Sequence, residues 1–65
     1  MKIVFTTNKN IKDKISNLNI VYDSQRHLKN GDTIYVVDVP ETQVNSLANI
    51  LHRNNINYYK ARKVI

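Results

Sequence analysis

Apolar positions follow three different rhythms along this chain. Ile3-Val4-Phe5 is a continuous apolar run within 2–7, the pattern of a strand covered on both faces. Ile11, Ile15 and Leu18 then recur at i, i+4 and i+7, which predicts a two-turn helix. Asn10 suits its N-cap, Asp13 its positive end, and Asn19 its close. Residues 20–28 read as a mixed strand and 33–39 as a strand rich in β-branched side chains. Asn30-Gly31 between them predicts a two-residue hairpin turn, since type I′ geometry needs positive φ at both central positions. Pro40 ends that strand and opens a second helix, in which Val44, Leu47, Ala48 and Leu51 form one stripe. His52 and Arg53 suit its negative end, Asn54-Asn55 stops it, and 56–65 reads as the last strand.

The Asn-Gly turn pairs Lys29 with Asp32 and Arg26 with Tyr35. It puts Tyr22, Leu28, Tyr35, Val37 and Val39 on one face, and Val21, His27, Ile34, Val36 and Asp38 on the other. It also sets Asp23 against Asp38, a like-charge pair that a bulge near Asp23-Ser24 would relieve. In strand four, Tyr59, Ala61 and Ile65 are assigned inward, and Tyr58, Lys60, Arg62 and Val64 outward.

The resulting order is β-α-β-β-α-β over a single α+β domain, residues 1–65. Two split βαβ units of this kind give a ferredoxin-like two-layer sandwich, an antiparallel sheet in order 4-1-3-2 with both helices on one face. The two apolar runs then become the central strands, and the charged strands two and four become edges. Without the short first helix, the fallback is a β-β-α-β arrangement.

Composition narrows the function classes. The 65 residues include no Cys and one Gly, which excludes disulfides, Cys-based zinc sites and a Gly-rich phosphate loop. No apolar run approaches the roughly 20 residues of a membrane span, and the first residues lack the pattern of a secretion signal, so a cytoplasmic location is expected. His27 and His52 have no metal-ligand spacing, and Ser16, Ser24 and Ser46 no nucleophile context. No catalytic constellation and no cofactor is read, so the chain is not expected to be an enzyme. Asn, Ile, Lys and Tyr together make up 29 of the 65 residues, a bias toward AT-rich codons that points to a low-GC bacterium, its phages or its mobile elements.

The net charge of +5 is unevenly placed: +3 over 1–20, −2 over 21–41 and +4 over 42–65. With helices on one face of the sheet, the other face is open, carrying Lys2, Val4, Ile34, Val36, Tyr58, Lys60 and Arg62, with Lys63 beside them. An apolar patch rimmed by cations marks a binding surface, and cations beside rings suit phosphates and bases. Val4-Phe5-Thr6-Thr7-Asn8 resembles the strand-one motif of the RNA-recognition motif, while 31–37 lacks that family's Gly-aromatic pattern and has Tyr35 alone. Ile34-Tyr35 through Asn57-Tyr58-Tyr59 resembles the small epsilon subunit of low-GC bacterial RNA polymerase over roughly half of the chain. Both resemblances imply work on or beside nucleic acid. The expected function is a small non-catalytic protein that binds nucleic acid, or docks on nucleic-acid machinery, through this face. The alternative is a phage-type inhibitor or accessory subunit acting on a host protein. Homodimerisation is open to either; no membrane or small-molecule substrate is expected.

Overall fold

The computed structural model describes residues 1–61. Its strands are β1 (Lys2–Thr7), β2 (Val21–His27), β3 (Thr33–Asp38) and β4 (Tyr58–Ala61), with a 3-10 turn at Glu41–Gln43 running into helix α1 (Val44–Arg53). All neighbouring strands are antiparallel, in the order β2-β3-β1-β4. The apolar runs β1 and β3 take the centre. The architecture is β-β-β-α-β, not βαββαβ: residues 11–18 form a series of turns, so the ferredoxin-like sandwich with two helices is not built.

The reason lies in the polar residues of that segment. One helical turn begins, with the N–H groups of Lys14 and Ile15 both donating to the Ile11 carbonyl. Beyond that turn the i to i+4 pattern is not continued: the Asp13 carbonyl accepts from the Ser16 hydroxyl at 3.1 Å, and the Asn10 side chain donates to the Asp13 carboxylate at 3.0 Å. Asn, Ser and Asp compete in this way with helical bonds, and so short a helix has little cooperative reserve. The apolar spacing still serves packing. Ile11 and Ile15 are fully buried, Leu18 and Ile20 pack at their margin, and Asn19 N–H donates to Gln43 Oε1, tying the segment to the start of the helix.

Beneath this segment and α1 lies one core of Ile3, Phe5, Tyr35, Val37 and Val39 from the sheet side and Val44, Leu47 and Leu51 from the helix. Phe5 and Tyr35 stack at 5.1 Å between centroids, and Tyr22 meets Tyr35 edge-on. Lys12 spans that edge, its ammonium 5.1 Å from the Tyr22 ring centre and 3.1 Å from Gln25 Oε1. Burial and the neighbouring Tyr35 push the Tyr22 hydroxyl up from its ordinary pKa.

Two registers set which side chains face away from that core. The β2–β3 loop has three residues, 29–31, not two: His27 lies opposite Thr33, and Leu28 and Asp32 close the loop through a 2.8 Å N–H···O bond. Gly31 supplies the left-handed residue, φ +93°, that this loop type requires. The expected pairing of Arg26 with Tyr35 is thereby replaced by Arg26 with Ile34. A bulge at Asp23 then restores the parity, so Tyr22 still lies on the core side opposite Val37 and Val21 opposite Asp38.

The second register starts at the end of α1. Ile56 N–H donates to the Leu51 carbonyl and Asn55 N–H to that of His52, with Asn55 at φ +58°. This Schellman arrangement turns the chain sharply and buries Ile56 against the helix end. Once Ile56 faces inward, strand alternation sends Tyr58 and Lys60 to the same side. Tyr58 is paired with Phe5, Lys60 with Ile3, and Tyr59 with Val4. For Tyr58, Tyr59, Lys60 and Ala61 the inward and outward positions expected for this strand are therefore exchanged, while Arg62, Val64 and Ile65 lie outside the described residues.

Candidate functional site

The sheet face opposite α1 carries no covering layer among the described residues. Its side chains form three rows across the strands. The middle row is Ser24, Val36, Val4 and Tyr59; on one side of it lie Arg26, Ile34 and Thr6, and on the other Val21, Asp38, Lys2 and Ala61. Val4 is 8% exposed but stands outside the core cluster, hemmed in by its strand neighbours. Ile34 and Val36 are half-buried, and Tyr59 is 64% exposed. A row of half-buried aliphatic side chains around Val4, with the exposed Tyr59 ring at one end, thus lines this face.

Charge on this face is largely compensated. Lys2 reaches across β3 to the Asp23 carboxylate, and the α-ammonium of Met1 holds Asp38 at 3.0 Å. The hydrogen bond and charge of Asp23 raise the pKa of Lys2. The ammonium's hydrogen bond and charge lower that of the Asp38 carboxyl. These are the ion pairs among the described residues, and Arg26 belongs to neither.

Of the residues singled out from the sequence, Lys2, Val4, Ile34 and Val36 share this face. Tyr58 and Lys60 do not; they sit on the helix side of the sheet. Arg62 and Lys63 lie outside the described residues. Among the members of the face that were missed are Tyr59 and Arg26. Tyr59 was readable in principle, because Ile56 shares the parity of Tyr58, and an inward Ile56 puts Tyr59 outward. Arg26 was not, because Asn30-Gly31 fits a two-residue loop as well as a three-residue one.

At the end of the face where β1 leaves the sheet there is a hollow of about 390 Å³, lined among others by Val4, Thr6, Asp32, Asn55, Asn57 and Tyr59. Asp32 belongs to the hairpin loop. Its N–H donates to Asn30 Oδ1, and its own Oδ2 accepts from the Asn30 amide. Among the described residues no three His, Asp or Glu side chains gather to hold a metal, and no helix is long and apolar enough to cross a membrane. Comparison of the chain with protein-family models, with curated proteins and with solved structures gives no match.

Proposed function

We propose that this chain is a non-catalytic binding module that docks on another protein through the open face of its sheet. The observation that carries the reading is the row of half-buried Val36 and Ile34 and exposed Tyr59 around Val4, on a face that no other layer covers among the described residues. Contiguous exposed apolar surface of this kind marks interaction sites, and a domain this small gains stability from covering it. The charge pattern favours a protein over a polyanion. Among the described residues, Lys2 is engaged by Asp23 and Lys60 lies across the sheet, so neither stands free on this face for a phosphate. An accessory subunit or inhibitor acting in the cytoplasm fits this chemistry.

Direct binding of single-stranded nucleic acid is the second reading. It is favoured by the exposed Tyr59 ring on the same face as Arg26, in a chain of net charge +5. One experiment separates the two: affinity capture with and without nuclease, alongside a gel-shift assay at low salt. Under the protein-docking reading, capture survives nuclease, is abolished by Ile34→Lys and is retained by Lys60→Ala. A shift of single-stranded oligonucleotide that weakens steeply with salt, with capture lost on nuclease treatment, supports nucleic acid instead. Capture unaffected by Ile34→Lys overturns the use of this face.

A further inference from the structure

We propose that the hollow at the β1 end of the open face is a socket for one cationic side chain, an arginine or lysine presented by the docking partner. The proposal rests on the protein-docking reading above and names the partner's chemistry at one point of contact.

The first observation is Asp32. It belongs to neither ion pair among the described residues. Its backbone is fixed on both sides, by the Leu28 N–H on its carbonyl at 2.8 Å and by its own N–H on Asn30 Oδ1 at 3.0 Å. One carboxylate oxygen accepts from the Asn30 amide at 3.2 Å, and no donor among the described residues engages the other. A carboxylate already held in place by its own turn gives up little freedom when it meets a guanidinium or ammonium group.

The second observation is the rest of the lining. Tyr59 contributes a ring that is 64% exposed, whose face can meet a cation. Thr6, Asn55 and Asn57 add polar residues whose side-chain oxygens can accept from a guanidinium, and Val4, Phe5 and Tyr58 complete the lining. A phosphate group would face the charge of Asp32, and an aliphatic side chain would leave these acceptors without donors. The hollow, about 390 Å³, is at the small end of ligand clefts, which run from about 300 to 1,000 Å³. It opens beside Val4, so an arginine seated there places its flanking residues over the aliphatic stripe. Arginine is a frequent anchor of protein interfaces.

The test is an NMR titration of the full chain with N-acetyl-arginine amide as probe, with N-acetyl-norleucine amide and inorganic phosphate as comparison arms. The expected result is saturable shifts at Thr6, Asp32, Asn55, Asn57 and Tyr59 in the millimolar range with the arginine amide alone. Asp32→Asn, which keeps the acceptor for Asn30, should weaken binding by about fivefold or more. Tyr59→Leu should weaken it as well, with the remaining amide signals unmoved in both variants. Equal shifts from norleucine amide, saturation by phosphate, or unchanged binding in both variants overturns the socket. That failure leaves docking itself intact if Ile34→Lys still abolishes capture. Loss of both shows that the face is not a docking surface.

Discussion

Replacing Ile15 with alanine removes a side chain that is 1% exposed, from a segment with a single helical turn to hold it in place. Three buried carbons are lost, about 2.4 kcal/mol at ~0.8 kcal/mol each. A void of about 60 Å³ adds up to about 1.5 kcal/mol at ~24 cal/mol per Å³ if nothing relaxes. Because residues 11–18 are turns, some collapse is available, and the net expectation is about 2.5–4 kcal/mol. A domain of this length has a total stability of roughly 3–10 kcal/mol, so this one substitution removes a quarter of it or more. Urea unfolding followed by far-UV circular dichroism checks it. At about 1 kcal/mol per molar urea the midpoint falls by about 2.5–4 M, or the folded baseline disappears. Ile15→Val should cost about 0.5–1.5 kcal/mol, and the exposed Lys14→Ala less than about 0.5 kcal/mol. A shift below about 1 M for Ile15→Ala, with the slope unchanged, refutes the claim that the turn segment seats its isoleucines in the core.

Two further outcomes concern the backbone and the charges. Gly31→Ala meets no atom within 4 Å, so its cost is that of the left-handed backbone, about 1–2 kcal/mol by urea melting, whereas Asn55→Gly should cost nothing or stabilise slightly. Asp38 is held below its ordinary value of 3.8 by the α-ammonium, so its contribution to stability is present above that pH and is lost as the pH falls through its lowered pKa. The difference in urea midpoint between the native chain and Asp38→Asn should therefore close in acid, and a constant difference down to pH 2 would contradict the pairing.

Strand periodicity and apolar burial were legible because each is a local property. Ile3-Val4-Phe5 and the β-branched run from Thr33 announce central strands, and the i, i+4 spacing of Ile11 and Ile15 marks residues that enter the core. The same spacing overstates the helix, since burial needs one turn to bring the two isoleucines together, while a helix needs successive backbone bonds, with which the Ser16 hydroxyl on the Asp13 carbonyl competes. The bulge near Asp23 was expected from a register that set Asp23 against Asp38; in the observed register an unbroken ladder would set Asp23 opposite Val37, and the bulge instead returns Tyr22 to the core side.

The chain alone determined the four strands and the amphipathic helix after Pro40 around a small Cys-free core, because propensity, turn residues and apolar spacing act over a few residues; the first helix it also announced does not form. Which side chains reach the open face was decided only in three dimensions. One extra loop residue at Lys29 and the inward turn of Ile56 each shift a strand by one position, and with a side-chain period of two such a shift exchanges the faces. Arg26 and Tyr59 joined the exposed surface, and Tyr58 and Lys60 left it, because loop closure and helix capping are settled by packing against the finished core.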